Sequence, residues 1–147
     1  MDDRALLLKN QLCFPLYAAA KEVVSRYKPL LDGIGLTYTQ YIVMMVLWED
    51  KELSVSHLGE RLHLDSGTLT PLLKRLSEKG LISRERSAQD ERQVNVSLTL
   101  SGEALKEKAL EIPHKISRCL NLEHEEAVTL YRLLYKVLAP AECETGA

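Results

Sequence analysis

From Leu12 onward the apolar residues Leu12, Leu16, Ala19, Val23, Tyr27 and Leu30 recur at spacings of three and four. That spacing puts them on one stripe of an α-helix and predicts a long first helix ending before Asp32-Gly33. Thr37 and Gln40 then stand three apart in front of an apolar run. A hydroxyl and an amide in those positions can each satisfy an orphan backbone N–H at the start of a second helix. The run Tyr41 to Trp48 is apolar on every face, so this helix should be central, covered all round by other helices or by a second subunit.

Ser54 is placed to cap a short third helix with Val55, Leu58 and Leu62 on one side, and Asp65 to cap a fourth. In the fourth helix Leu69, Leu72, Leu73 and Leu76 face inward, while Ser66, Thr70 and Lys74 follow at i, i+4 and i+8 on the outer face. Pro71 allows two readings. With Asp65 as cap it removes one helical hydrogen bond and bends the helix; with Thr70 as cap it occupies the first helical position of a shorter one. Beyond Gly80 the period changes from 3.6 to 2. Leu81 to Arg86 and Gln93 to Leu98 read as antiparallel strands joined by the polar segment Ser87 to Arg92. Two short helices followed by a hairpin with a charged tip are the order of a winged helix-turn-helix.

Thr99 or Ser101 can cap a fifth helix carrying Leu105, Ala109, Ile112 and Ile116, with a kink expected at Pro113. A last helix is expected from Asn121, with Glu123, Glu125 and Glu126 near its positive end and Ala127, Leu130, Leu134 and Val137 as its stripe. The first, fifth and last stripes lie outside the winged unit and need a partner surface. A homodimer built from the terminal helices supplies it, with two winged units related by a twofold axis. The fold class expected is therefore mainly α with a small β-hairpin. It is one domain over 1–147, with a winged helix at about 36–100 and dimerisation helices at about 5–31 and 101–138.

The composition fits. A length of 147 residues suits one domain, and 46% hydrophobic with 27% charged residues is ordinary globular usage. With one Phe and one Trp the core must be mostly aliphatic. The longest uncharged stretch, Gly33 to Trp48, falls short of the ~20 apolar residues that span a bilayer. Met1-Asp2-Asp3-Arg4 does not begin a secretory signal, so a cytoplasmic protein with no membrane partner is expected.

Net charge is -2, yet Lys74, Arg75, Lys79, Arg84, Arg86 and Arg92 outnumber the acids between positions 74 and 92, whereas the chain beyond Leu120 is acidic. Cys13, Cys119 and Cys143 form neither a Cys-x-x-Cys pair nor an even disulfide set, which fits a reducing compartment. His57, His63, His114 and His124 fall in no metal-ligand spacing, and no phosphate-binding glycine loop or nucleophile elbow is present. Neither a metal nor a cofactor is expected, and an enzyme is disfavoured.

The winged unit with Asp90-Glu91-Arg92 and Leu98-Thr99-x-x-Gly102 resembles the MarR family of dimeric transcription regulators. Asn10-Gln11-Leu12-Cys13-Phe14 with Tyr17, Leu36-Thr37-Tyr38-x-x-Tyr41 and Leu64-Asp65-Ser66-Gly67-Thr68-Leu69-Thr70-Pro71-Leu72 look like its organic-hydroperoxide-sensing branch, the OhrR repressors. The resemblance implies that Cys13 is the residue oxidised by peroxide, that Tyr17, Tyr27 and Tyr38 hydrogen-bond its thiolate from the two subunits, and that Cys119 is a candidate resolving cysteine. Cys143 would be a bystander. The chemistry is intelligible by itself: a thiolate attacks the O–O bond, and phenol donors favour the thiolate. Cys13 and Tyr17 are i, i+4 and can meet within one chain. Pro15 either bends this helix or begins its regular part, which would set Cys13 near a helix N-terminus.

For DNA, Ser66, Thr68, Thr70 and Lys74 are expected near the major groove and Arg75 toward phosphate. Arg92 would enter the minor groove, Arg84 and Arg86 would touch phosphates, and Asp90 would orient the hairpin tip by pairing. A twofold dimer calls for double-stranded DNA with an inverted repeat, its half-sites ~10 bp apart. Two alternatives use the same residues differently: a regulator gated by a small aromatic ligand, which would respond without Cys13, and a thiol peroxidase, which would turn peroxide over.

Overall fold

The computed structural model describes residues 3–140; Cys143 lies outside the described residues. Two 3-10 turns, Asp3–Leu6 and Leu8–Asn10, precede helix α1, Cys13–Asp32. The regular helix thus starts later than the expected position 5, and Pro15 sits in its first turn, where a missing N–H costs no helical bond. Pro15 begins the helix and does not bend it.

Helix α2, Tyr38–Asp50, opens with the expected capping box. The Gln40 N–H donates to Thr37 Oγ1 at 3.3 Å and the Thr37 N–H donates to Gln40 Oε1 at 3.1 Å. Tyr41, Val43, Met44, Val46, Leu47 and Trp48 are buried, while Met45 of the same run is 42% exposed; α2 is the central helix, covered within the chain on all but the Met45 side. Helix α3, Val55–Leu62, is capped by Ser54, and helix α4, Ser66–Glu78, by Asp65, which accepts the Thr68 N–H at 2.8 Å. The earlier start is therefore the one adopted, with Pro71 inside α4. Leu58, Leu69, Leu73 and Leu76 are fully buried beneath α2, each worth roughly 1.5–3 kcal/mol against exposure. Gly80, at φ +70°, ends α4 in the left-handed conformation. The Leu81 N–H then donates to the Leu76 carbonyl at 3.1 Å.

The hairpin is β2, Ile82–Arg86, against β3, Val94–Leu98. A third strand, β1, Glu52–Ser54, adds to the other side of β3, giving the order β1-β3-β2. Leu53 pairs with Val96, and Ile82 with Leu98; Leu53, Val96 and Ile82 are buried on the core face. The expected kinked fifth helix is two helices, α5, Leu100–Ala109, and α6, Ile112–Ser117. Pro113 cannot donate to the carbonyl four residues back and its ring crowds that turn, so the break falls ahead of the proline. Thr99 is the cap of α5 and accepts the Gly102 N–H at 3.1 Å. Helix α7 runs His124–Leu138 and is capped by Glu123 with Glu126, not begun at Asn121, which sits at φ +52°. None of its residues is buried. Val128, Leu130, Tyr131, Leu133, Tyr135 and Val137 are exposed along it.

Candidate nucleic-acid interface and cysteine site

Asp65 sets the geometry of the exposed face of α4. The Thr68 backbone N–H, and then its hydroxyl at 3.2 Å, hold this carboxyl below the usual carboxylate range. The Thr70 hydroxyl donates to the Ser66 carbonyl at 2.8 Å. Both threonine hydroxyls spend their protons on the protein and keep oxygen lone pairs as acceptors. Ser66, Thr68, Thr70, Lys74 and Arg75 are all exposed, with Lys74 Nζ 4.0 Å from Glu78. The outer face predicted from the i, i+4, i+8 spacing is therefore present as one surface.

Arg84 and Arg86 are exposed on β2. At the tip Asp90 Oδ1 accepts the Arg92 N–H at 3.0 Å and lies 3.9 Å from Arg92 Nε, while the Arg92 side chain is 94% exposed. Ser87, which the sequence did not single out, accepts the N–H groups of Gln89 and Asp90 and closes the turn. Between α3, α4 and the hairpin runs a groove of about 810 Å³ bordered by Ser56, Glu60, Ser66, Thr70, Arg84 and Arg92. Basic residues of the hairpin and hydroxyls of α4 thus face one concavity.

The cysteine site is divided. Cys13 is exposed at the first position of α1, the positive end of the helix dipole. Tyr17, one turn on, is 62% exposed, and Lys21 Nζ stands 5.2 Å from the centre of its ring. Tyr27 lies fourteen residues beyond Cys13 on the same helix, ~21 Å away at 1.5 Å per residue. There its ring packs on Tyr38 at 4.9 Å and on Tyr41 at 5.9 Å. Burial, together with Tyr38 and Tyr41, pushes the Tyr27 phenol up to about 12, and burial raises Tyr38 and Tyr41 as well. All three remain protonated donors at neutral pH. Tyr41 belongs to this group as well; the sequence marks it in the Tyr38-x-x-Tyr41 motif and the apolar run, but not as a partner of Tyr27.

Cys119 follows α6, exposed, with its thiol donating to the Lys115 carbonyl at 3.4 Å. Its carbonyl accepts a hydrogen bond from Arg26, which is also paired to Glu22 at 2.9 Å. Arg26 precedes Tyr27, so Cys119, Tyr27 and Tyr38 gather at the far end of α1 from Cys13. The structure brings Cys13 near Tyr17 in sequence, Tyr27 near Tyr38 in space, and does not bring the two groups together in one chain. Among the described residues no cluster of His, Cys, Asp and Glu could hold a metal ion, and no helix is long and apolar enough to cross a membrane.

Residues 25–109 match the family of SarA/Rot transcriptional regulators. The chain is 50% identical over 131 residues to the organic hydroperoxide resistance transcriptional regulator of Bacillus subtilis, covering 89% of each. It superposes on the structure of reduced AbfR bound to DNA with a TM-score of 0.77 at 36% identity, covering 94% of this chain and 96% of that one; AbfR is from Staphylococcus epidermidis. On the disulfide-formed AbfR the TM-score is 0.64 at 36% identity, with 92% of both chains covered.

Proposed function

The chain belongs to the MarR family of DNA-binding transcription regulators, among the relatives of the organic hydroperoxide resistance regulator, and from this premise we propose that it is a cytoplasmic homodimeric repressor that releases its operator when an organic hydroperoxide oxidises Cys13. The observation that carries this reading is the division of the cysteine site. Cys13 stands at one end of α1, and the phenols and second thiol suited to it stand ~20 Å away at the other. A twofold axis crossing α1 sets Cys13 of one subunit against Tyr27, Tyr38 and Cys119 of the other. Such a dimer would also give the exposed Leu6, Leu12, Phe14, Tyr131 and Val137 of the terminal segments a surface to pack against.

In the proposed reaction the Cys13 thiolate attacks the terminal peroxide oxygen. The O–O bond breaks and the alkoxide leaves as an alcohol after taking a proton. Cys13 becomes a sulfenic acid, oxidised by two electrons while the peroxide is reduced by two. The Cys119 thiol of the opposite subunit then displaces water and forms a disulfide. In the reduced dimer Ser66, Thr68, Thr70 and Lys74 face the major groove of an inverted repeat, Arg75, Arg84 and Arg86 contact phosphates, and Arg92, oriented by Asp90, enters the minor groove. The better superposition on reduced, DNA-bound AbfR than on its disulfide form supports assigning this conformation to the binding state.

For the ligand-gated alternative, the apolar pocket of about 210 Å³ beside Tyr41, Met45, Trp48 and Leu110 is smaller than the ~300 Å³ at the low end of small-molecule sites. Selection from random duplex DNA tests the proposal. Reduced protein should recover an inverted repeat, and protein treated with one equivalent of cumene hydroperoxide should recover none; equal recovery by both contradicts peroxide control.

A further inference from the structure

Gln40 is buried to 3% exposure and polar. Its Oε1 accepts the Thr37 N–H at 3.1 Å and a second hydrogen bond, at 3.3 Å, from Lys79 Nζ. The same ammonium donates to the Gly35 carbonyl at 2.5 Å. Lys79 is the last residue of the α4 region, the C-cap of that helix, while Gly35 and Thr37 form the turn between α1 and α2. Tyr38, the first residue of α2, follows Thr37 directly and packs on Tyr27 of α1. One ammonium group therefore joins the turn that carries the tyrosine pair to the end of the DNA-facing helix.

We propose that Lys79 is a positioning residue that transmits the state of the Tyr27–Tyr38 site to α4, through Gly35 and Gln40. The inference rests on the peroxide-release reading for its biological meaning. The lever is favourable: Lys79 holds the C-terminal end of α4, and the thirteen residues of the helix put Ser66 ~20 Å away. A small rotation about the tethered end thus becomes a larger displacement at the reading face. The other hydrogen bonds of this end, the Leu81 N–H to Leu76 and the Thr99 hydroxyl to the Gly80 carbonyl at 2.7 Å, tie it to the hairpin and to α5; Leu72, Leu73 and Leu76 share the apolar core with Tyr41, and Lys79 adds the polar link to the turn before α2. Charge-assisted hydrogen bonds to carbonyl oxygens suit the task, since an ammonium can follow two acceptors through a modest shift.

The test compares wild type, Lys79→Met and Lys79→Arg, each as the full chain, on the duplex that the reduced wild type selects from random DNA. One arm measures Kd for reduced and for cumene-hydroperoxide-treated protein by fluorescence anisotropy. The other follows hydrogen exchange of the segment 33–41 in the reduced protein with and without duplex, and needs no peroxide. Lys79→Met should keep reduced Kd within threefold of wild type and oxidise at Cys13 at the wild-type rate. It should lower the ratio of oxidised to reduced Kd at least tenfold and abolish the duplex-induced slowing of exchange in 33–41. Lys79→Arg should restore both. An unchanged Kd ratio, or slowing of exchange equal to wild type in Lys79→Met, overturns the proposal. If wild type itself keeps its duplex after peroxide, the sensing reading fails, and the exchange arm still decides whether Lys79 couples the turn to α4.

Discussion

The division of the cysteine site makes the connectivity of the oxidised protein a sharp prediction. Arg26 lies thirteen residues beyond Cys13 on one unbroken helix, ~20 Å along its axis, and it holds the Cys119 carbonyl. A disulfide needs its Cα atoms within ~7 Å. Even an arginine side chain stretched back toward Cys13 does not close that gap, so a Cys13–Cys119 bond within one chain would require unwinding α1. Peroxide-treated wild type should therefore run as a covalent dimer on a non-reducing gel, and Cys13→Ser and Cys119→Ser should each run as monomers. Mixing the two variants, with exchange of subunits before oxidation, should restore a singly bridged dimer. The bridge joins Cys13 of one chain to Cys119 of the other, in roughly half of the dimers by random pairing. Peptide mapping of isotopically labelled chains identifies the bond. A Cys13–Cys119 link between peptides of the same label only, in a monomeric band, would refute the argument.

Three further outcomes follow from the geometry. Gly102→Ala should destabilise the fold by about 3 kcal/mol, the upper part of the overpacking range, read as the midpoint of urea unfolding. Its Cβ would strike the Leu81 carbonyl and come 2.8 Å from Leu98 Cδ1, at a residue whose own carbonyl accepts the buried Trp48 Nε1–H at 2.9 Å. Tyr27 has a folded-state value of about 12, above the unfolded value of 10.0, so its contribution is complete below pH 10 and is lost as pH rises toward 12. Thermal melts from pH 8 to 12 should show that loss, and Tyr27→Phe should reduce it to the part that the raised Tyr38 and Tyr41 contribute. Arg84→Ala should weaken operator binding alike on all sequences and lower the salt slope by about two per dimer, as expected for one phosphate contact in each subunit; an unchanged slope removes Arg84 from the interface.

Local signals were legible in the sequence where one residue answers another nearby. The Thr37–Gln40 box and the cap at Ser54 are each decided within three residues and are found as read; where the sequence allowed Asp65 or Thr70, and Thr99 or Ser101, the structure takes Asp65 and Thr99. Strand β1 was not visible, because three residues carry no alternation and Glu52–Ser54 becomes a strand only by pairing with β3, more than forty positions away. The break before Pro113 was misplaced by three residues because proline disturbs the turn preceding it, not its own position. Helix α7 starts at His124 and not at Asn121, because Asn121 takes a left-handed backbone at φ +52° that no N-cap adopts, and Glu126 accepts the Glu123 N–H at 2.9 Å instead. At the site, the i, i+4, i+8 face of α4 could be read directly. The packing of Tyr27 on Tyr38 and Tyr41, the grip of Arg26 on Cys119 and the reach of Lys79 to Gln40 depend on helices meeting in space. Periodicity carries none of that information.

Cys13 as the switch is tested most directly by titrating preformed operator complex with cumene hydroperoxide, followed by anisotropy, for wild type and Cys13→Ser. Wild type should release its duplex as about one equivalent per subunit is consumed and rebind after a thiol reductant, while Cys13→Ser should stay bound throughout. Release from both proteins, or from neither, would contradict it.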